Sequence, residues 1–219
     1  MIIINNVPCE VVELFPSEIE FILLHKIIDN EHYREYHLKQ KDSTKYKILD
    51  NSAFELGAGL DDELLLEWAV KLNVNEIIIP DVYGDKEKTL VLMREFFSKH
   101  PECPFKLQVV PQGKNQEELF DCYHQMINHV KVDVIGINKL WNRKALKNTL
   151  SRTIKPIHLL GVNSISEWFY DYGDLNIRSA DSRVLSKIVL GTEDIWECEV
   201  GDEQLFLLSH LIEDFEKWK

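Results

Sequence analysis

The chain has 219 residues, of which 45% are hydrophobic and 28% charged, and this composition suits one compact domain, residues 1–219, with a full hydrophobic core. The formal net charge of −12 excludes a uniformly basic surface for gripping phosphates, although local lysines can still form a basic patch. There is no run of about 18 apolar residues and no signal-peptide pattern at the start, so we expect a cytoplasmic protein without a membrane partner.

Short apolar segments that end in polar residues alternate with amphipathic segments along the chain. The first clear strand is KYKILD, which ends at Asp50. Later strands end in the same way: EIIIPD at Asp81, FKLQVVPQG at Gln112 and Gly113, VDVIGINK at Lys139, KPIHLLG at Gly161, and LNIRSAD at Asp181. Helical patterns follow over residues 61–72, 85–100, 115–130, 142–154 and 164–173, and a final helix covers residues 201–219.

Apolar spacing predicts the buried face of three of these helices. Asp61 or Asp62 is expected to cap the first of them. The predicted core positions are Leu65, Trp68, Ala69 and Leu72; Leu119, Cys122, Tyr123, Met126 and Val130; and Leu208, Leu211, Ile212, Phe215 and Trp218.

Strands of about five residues that alternate with helices indicate βαβ units and a parallel sheet. Counting EIEFILLH (residues 18–25) as the first strand and IVLG (residues 188–191) as a late one gives about eight strands. This predicts an α/β fold, a compact single-domain (β/α)8 TIM-like barrel, with an open doubly wound sheet as the alternative. Residues 1–20 fit no unit and are predicted to form a hairpin or a plug at the barrel bottom.

Neither a metal nor a cofactor is expected. The four cysteines (Cys9, Cys103, Cys122, Cys198) are far apart, with no CxxC and no Cys/His pair at metal-ligand spacing, so we interpret them as reduced thiols. No strand is followed by GxGxxG or by GxxxxGK[ST], the usual loops that bind nucleotide phosphates.

In a parallel barrel the carboxyl ends of all strands meet at one mouth. The sequence therefore predicts that residues distant along the chain converge there. They are Asp50, Asp81, Gln112, Gly113, Lys139, Gly161 and Asp181.

The motifs at these strand ends resemble a known family. DNSAFE, PDVYGD, VPQG, HLLGV and SADS occur in the order of the motifs of the tRNA-guanine transglycosylase superfamily, which are DSGGFQ, a later strand-end aspartate, VQG, an LMGVG-like strand and a D-[CS] nucleophile strand. The resemblance covers about residues 45–185 and is greatest to the small phage-type relatives that insert 7-deazaguanine bases into DNA.

The resemblance implies an enzyme that exchanges guanine for a 7-deazaguanine base in nucleic acid through a covalent Asp-glycosyl intermediate. Asp181 matches the nucleophile that attacks the sugar C1′, and Asp50 matches a proton donor or acceptor that contacts the base. The implied base-binding residues are Asp81, Gln112, Gly113, Phe54 and Gly161.

These residue types suit that chemistry. Base exchange with retention at C1′ needs two displacements, and one carboxylate can form and then release the glycosyl intermediate. A second carboxylate donates a proton to the departing base and accepts one from the incoming base. When two carboxylates are neighbours, repulsion between their charges makes the pKa of one higher than that of the other. Asp81 can accept from the N1–H and amine of guanine, while the Gln112 amide or Gly113 N–H can donate to O6. A duplex base would have to be flipped out.

Two departures from the family pattern affect the expected substrate. The chain contains no CxCxxC-plus-His zinc motif, which helps the cellular enzymes hold tRNA, so DNA is favoured over tRNA. Asn51, Ser52 and Ala53 replace the glycines and serine of DSGGFQ, which predicts a differently shaped base pocket. Candidate nucleic-acid contacts are Lys139, Trp141 and Arg183, and the acidic charge predicts a protein partner that supplies a basic surface.

Each residue also has a purely structural interpretation. Asp50 and Asp81 could form turns, Asp181 could pair with a neighbouring arginine, and His25 and His158 are expected to be satisfied core histidines. Trp68, Trp168 and Trp218 are expected to be packing residues. The functional alternatives are an N-glycosidase that acts on a nucleoside or nucleotide, and a non-catalytic protein that binds guanine or deazaguanine.

Overall fold

The computed structural model describes residues 1–15, 17–150 and 155–217. Its strands are β1 (Ile2–Asn5), β2 (Ile19–Leu23), β3 (Tyr46–Asp50), β4 (Glu76–Ile78), β5 (Lys106–Val109), β6 (Val134–Ile137), β7 (Ile157–Val162) and β8 (Ile177–Ser182). All neighbouring strands are parallel, in the order β1-β8-β7-β6-β5-β4-β3-β2, and β1 also lies against β2. The sheet is therefore a nearly closed (β/α)8 barrel of the TIM type, and the open doubly wound alternative is wrong.

Helices follow most of the strands. They are α1 (Leu24–Asp29), α2 (Glu31–Lys39), α3 (Ala53–Leu56), α4 (Asp62–Lys71), α5 (Lys86–Lys99), α6 (Gln116–Ile127), α7 (Leu146–Thr149), α8 (Val184–Leu190) and α9 (Asp202–Lys217), with 3₁₀ turns at Cys9–Leu14, Arg143–Ala145 and Ile165–Phe169. Asn30, Asp61, Asp85 and Asn115 accept backbone N–H groups at the starts of α2, α4, α5 and α6. These side chains satisfy donors that the first helical turn leaves free.

The predicted helix faces pack on the barrel with two exceptions. Leu65, Ala69, Leu72, Leu119, Cys122, Tyr123, Met126 and Leu208 are buried, while Trp68, Ile212 and Phe215 pack against the core. Val130 is 88% exposed because α6 ends at Ile127, and Leu211 is 37% exposed. Trp168 is buried as predicted, and Trp218 lies outside the described residues.

Two strand assignments made from the sequence are wrong. Residues 1–20 are not a hairpin or plug, because Ile2–Asn5 forms β1 and pairs with β8 in the barrel wall. IVLG is not a strand: it overlaps α8, whose Val184, Leu185 and Ser186 are buried. A short apolar run cannot by itself distinguish a strand from a buried helix. The helix expected over 142–154 is a 3₁₀ turn plus α7, and residues 151–154 lie outside the described part.

A polar cluster occupies the barrel interior below the mouth. Ile157 and His158 of β7 pair with Ile177 and Ser179 of β8, so Arg178 forms a bulge between them. The bulge lets Arg178 reach the fully buried Glu76, with Nη1–Oε2 at 2.6 Å and Nη2–Oε1 at 3.1 Å. The Tyr46 hydroxyl also donates to Glu76 Oε2 at 2.7 Å. This bidentate pair keeps the Glu76 charge compensated inside the barrel.

No helix within residues 1–15, 17–150 and 155–217 combines the length and apolar character needed to cross a bilayer.

Candidate active site

A cavity of about 750 Å³, counted with its open mouth, lies at the carboxyl ends of the strands. All eight strands or the residues that directly follow them contribute to its wall: Asn6, Phe21, Leu23, Asp50, Asn51, Ile78, Asp81, Val110, Gln112, Asn138, Lys139, Leu160, Gly161, Asp181 and Arg183.

Most residues predicted to converge do line this cavity. They are Asp50, Phe54, Asp81, Gln112, Lys139, Gly161, Asp181 and Arg183. Gly113 does not, because it packs against the start of α6, where an added Cβ would lie 2.6 Å from the Leu119 nitrogen. Trp141 does not either: it is 4% exposed and packs edge-on against Phe120 and Tyr123. The structure therefore places Trp141 in the core rather than at a substrate surface.

Asp181 lies near the end of β8 and is buried at the floor of the cavity. Its Oδ1 accepts from the Gly161 backbone N–H at 2.9 Å and lies 3.3 Å from His158 Nε2, while its Oδ2 accepts from Asn6 Nδ2 at 3.1 Å. Gly161 has a φ of +61°, a left-handed conformation that glycine adopts without strain, and this conformation carries the N–H that contacts Asp181. The carboxylate is thus held by neutral donors and a histidine, and Arg178 pairs with Glu76 instead.

Asp50 is the last residue of β3, and the chain turns sharply after it. Its Oδ2 accepts from the Ser52 backbone N–H at 3.0 Å, so the turn interpretation is correct in part. Ser52 has a φ of +63°, and its Oγ is held 2.8 Å from His25 Nδ1. Burial, followed by repulsion from Glu55 and Asp81, raises the pKa of Asp50 well above its ordinary value of 3.8. Asp50 can therefore carry a proton under conditions where an exposed aspartate would not.

Asp81 belongs to a network of side-chain amides. Asn51 Nδ2 donates to Asp81 Oδ1 at 2.6 Å, and Gln112 Nε2 donates to Oδ2. Gln112 Oε1 in turn accepts from Asn138 Nδ2 and from the Gly84 N–H, both at 3.0 Å. Burial raises the pKa of Asp81 to about 6, although the two amides lower it. Each Asp81 oxygen keeps a further acceptor position, and the Gln112 amide keeps one hydrogen for a ligand.

The rim of the cavity combines aromatic rings and cations. Phe54 is 41% exposed and meets Tyr83 edge-on at 5.3 Å between ring centroids. Lys139 Nζ lies 4.0 Å from the centre of the Phe54 ring. Loss of water around the ammonium group and the nearby charge of Arg183 lower the pKa of Lys139. Within the described part of the chain, neither cation forms an ion pair with a carboxylate.

Asn6, Glu55 and Asn138 are among the cavity residues that the sequence did not single out. Asn138 directly follows β6, and the sequence analysis placed that strand end one residue later, at Lys139. Asn6 directly follows β1, which the sequence analysis did not recognise as a strand. Glu55 occupies the place of the glutamine in the DSGGFQ motif, and it adds a negative charge near Asp50 and Asp181. The cavity therefore presents the carboxylates Asp50, Glu55, Asp81 and Asp181.

One acidic cluster lies outside the cavity. The ligand atoms of Asp62, Glu63 and His100 lie close enough together to share a cation. Within residues 1–15, 17–150 and 155–217, this is the one cluster of three or more acidic, histidine or cysteine side chains with that spacing. Lys99 Nζ is already 3.2 Å from Asp62 Oδ2 and offsets part of the negative charge there. This cluster is separate from the chemistry of the barrel mouth.

The raised pKa of Asp50 makes a prediction about stability. Below the ordinary pKa of 3.8, Asp50 is protonated in both the folded and the unfolded chain. As the pH rises, the unfolded chain loses this proton freely in water, whereas the folded chain must either keep the proton or hold a charged carboxylate in a buried site. The charge therefore lowers the free energy of unfolding at higher pH. Asp50→Asn keeps an oxygen for the Ser52 N–H and removes the charge, so we expect its Tm at about pH 8 to exceed the wild-type value by about 2–8 °C, the effect of ~1–2 kcal/mol.

Thermal unfolding of both proteins across the pH range measures this effect. Below the ordinary pKa of 3.8 the two Tm values should converge, because both proteins are then uncharged at this position in the folded and unfolded states. Asp174→Asn, which changes an exposed aspartate in the turn before β8, is the matched control and should follow the wild-type curve. A pH-independent difference between Asp50→Asn and wild type would contradict the prediction.

Comparison with known proteins supports the fold but identifies no family. No family model matches the chain, and no curated protein sequence matches it. The structure of the YdjI aldolase from Escherichia coli K12 is similar, with a TM-score of 0.55 and 13% identity over 87% of this chain and 77% of that chain. The structure of the Amycolatopsis orientalis BexX/CysO complex gives a TM-score of 0.48 and 10% identity over 84% and 81% of the two chains. The likeness to YdjI is one of fold.

Proposed function

We propose that this chain is a glycosyltransferase that exchanges guanine for a 7-deazaguanine base in nucleic acid, with DNA favoured over tRNA. The observation that carries the proposal is the arrangement at the cavity floor. A buried carboxylate held by donors, Asp181, shares the cavity with Asp50, whose pKa is raised, and with the base-reading pair Asp81 and Gln112. The motif resemblance supplies the reaction class.

In the proposed reaction, Asp181 acts first. One carboxylate oxygen attacks C1′, a C1′–O bond forms, and the C1′–N bond to guanine breaks. Asp50 gives its proton to the departing guanine, because burial and the neighbouring carboxylates raise its pKa and make it hold a proton more readily than an exposed aspartate does. The incoming base then attacks C1′, the electron pair of the C1′–O bond returns to Asp181, and the base proton passes to Asp50. The enzyme is regenerated and the sugar configuration is retained.

The amide network supports recognition of a guanine-like edge. Ionised Asp81 has acceptor positions for N1–H and the exocyclic amine, and the remaining Gln112 hydrogen can go to O6. Asn51 holds the Asp81 carboxylate in place through its Nδ2 hydrogen bond to Oδ1. The exposed Phe54 ring at the rim offers a surface for base stacking.

Lys139 and Arg183 are suited to contact the phosphates beside the flipped base. We expect Lys139→Ala to weaken DNA binding several-fold and to reduce the slope of log K against log salt concentration by about 1, the loss of one phosphate contact. Fluorescence anisotropy with labelled single-stranded DNA over a salt series measures both quantities.

The matched control for this salt experiment is Lys39→Ala. That lysine is exposed, ends α2 and pairs with Glu35, and its removal should leave the DNA affinity unchanged. Equal losses in both variants would mean that Lys139 acts only through net charge. The chain carries a net charge of −12, so we also predict that a partner protein with a basic surface strengthens DNA binding.

The proposed function is tested by base exchange. Guanine-containing DNA, tRNA or GMP is incubated with the protein and with labelled guanine or a labelled 7-deazaguanine base. Label entering a polymer is the expected result and identifies the substrate. Release of guanine without incorporation would replace the proposal with an N-glycosidase, and base binding without turnover would replace it with a non-catalytic binding protein.

A further inference from the structure

A continuous chain of polar side chains leads from the barrel interior to Asp181. Arg178 Nε lies 3.1 Å from Ser179 Oγ, Ser179 Oγ lies 2.8 Å from His158 Nδ1, and His158 Nε2 lies 3.3 Å from Asp181 Oδ1. His158 and Ser179 are both fully buried, and they are direct partners across β7 and β8. Ser179 and Asp181 are two residues apart on one strand, so both face the barrel interior.

The ends of this chain determine the direction of its hydrogen bonds. An arginine guanidinium can only donate, so Ser179 Oγ accepts from Arg178. The Ser179 hydroxyl hydrogen then has His158 Nδ1 as its acceptor, which places the imidazole hydrogen on Nε2, facing Asp181. In the opposite tautomer, with the hydrogen on Nδ1, both Arg178 and His158 would donate to Ser179 Oγ, and the Ser179 hydroxyl hydrogen would lose His158 as its acceptor. The lone pair of His158 Nε2 would then face the Asp181 carboxylate, which is unfavourable. Every group is satisfied only when the bonds run from Arg178 to Asp181.

The surroundings of His158 hold the ring in this orientation. Phe21 stacks on it, with ring centroids 5.4 Å apart and planes inclined by 15°. Arg178 is anchored by its two bonds to Glu76. The imidazole is fully buried beneath Phe21, and its Nε2 is directed toward Asp181 Oδ1.

We propose that His158, in the tautomer fixed by Ser179 and Arg178, is the positioning residue for Asp181. With Gly161 N–H it holds Oδ1. Among residues 1–15, 17–150 and 155–217, Oδ2 accepts one hydrogen bond, from the cavity residue Asn6, and Oδ2 is therefore the oxygen that attacks C1′. This inference rests on the proposed function. In the covalent intermediate Oδ1 is the ester carbonyl oxygen, and when the C1′–O bond breaks the returning electron pair is shared by both oxygens. The donors on Oδ1 stabilise that charge without themselves transferring a proton.

Two substitutions separate positioning from packing. His158→Gln keeps the same polar pattern, because its amide oxygen can accept from Ser179 and its amide nitrogen can donate to Asp181. His158→Leu keeps a side chain of similar bulk under Phe21 and removes both bonds. We expect His158→Leu to lower kcat by about 10²-fold with little change in KM, the size of effect seen when one preorganised donor is lost. His158→Gln should restore most of kcat.

The experiment combines these kinetics with nitrogen-15 NMR of histidine-labelled protein. The chain has 8 histidines, and His158→Gln identifies the signal of interest by its disappearance. The expected signal is a protonated Nε2 and an unprotonated Nδ1, and Ser179→Ala should disturb that pattern. A proton on Nδ1, or a folded His158→Leu variant with wild-type kcat, would overturn the inference. If wild-type protein exchanges no base, the proposed function fails, and the NMR result still decides whether His158 donates to Asp181.

Discussion

Asp181→Ala is expected to abolish base exchange, lowering kcat at least about 10³-fold, because it removes the carboxylate that forms the covalent bond to C1′ in the proposed reaction. Base binding should remain close to wild type, since Asp81, Asn51 and Gln112 are unchanged. The measurement is incorporation of labelled base into DNA, together with binding of the free base. Asp181→Asn should be equally inactive, because an amide oxygen is a poor nucleophile.

Asp174→Ala, at an exposed position, is the control for protein quality and should keep full activity. Mass spectrometry of wild-type protein quenched during turnover should reveal a DNA adduct on the peptide that contains Asp181, and the adduct should be absent from both Asp181 variants. Undiminished exchange by Asp181→Ala would reject the covalent mechanism. Retained base binding without any exchange in wild type would favour the non-catalytic alternative.

Asp81→Asn is expected to weaken binding of a guanine-like base on the order of 10²-fold. The variant loses an ionised acceptor for two donors of the base, and hydrogen bonds to a charged group contribute roughly 1.5–3 kcal/mol each. It also replaces one of the two accepting oxygens by an NH2 group, whose hydrogens then face those of either Asn51 or Gln112. Titration of the protein with 7-deazaguanine, followed by calorimetry or fluorescence, measures the loss.

The pH dependence of binding gives a second test of Asp81. Burial raises the pKa of Asp81 to about 6, and only its ionised form accepts from both N1–H and the amine. Wild-type affinity should therefore be highest above about pH 6 and fall as the pH drops through that value, while Asp81→Asn should bind weakly at every pH. Asp42→Asn, at an exposed position before β3, is the control and should keep the wild-type profile. A wild-type affinity that rises at low pH would contradict the assigned role.

Much of the fold could be predicted because local patterns and global packing agree. Strand-helix alternation, caps such as Asp61, and the apolar face of α4 follow from short-range physics that is independent of the rest of the chain. Strand membership was harder to predict. The segments IIIN and IVLG are both short apolar runs. Pairing with β8 makes the first a strand, while the second continues α8, whose earlier residues Val184, Leu185 and Ser186 are buried.

The functional site, like the fold, could be predicted from the sequence only in part. The residue types at the strand ends were readable, since a parallel barrel brings all those ends together, and this is why Asp50, Asp81, Gln112 and Asp181 line one cavity. The sequence could not distinguish Trp141, which packs into the core, from Phe54, which is exposed at the rim. Both are aromatic residues a few positions after a strand, and exposure depends on neighbours such as Phe120 that come from other parts of the chain.

By itself, the sequence determined that the chain alternates strands and helices, that polar groups end the strands, and that a parallel barrel would gather carboxylates at one mouth. The tertiary structure alone decided how those groups are partnered. The bulge at Arg178 and the register of β7 with β8 bring Ser179 and His158 beneath Asp181, and the turn after β3 brings Asn51 to Asp81. Hydrogen bonds and pKa values depend on distances of a few ångströms between residues far apart in the chain, which local sequence patterns do not specify.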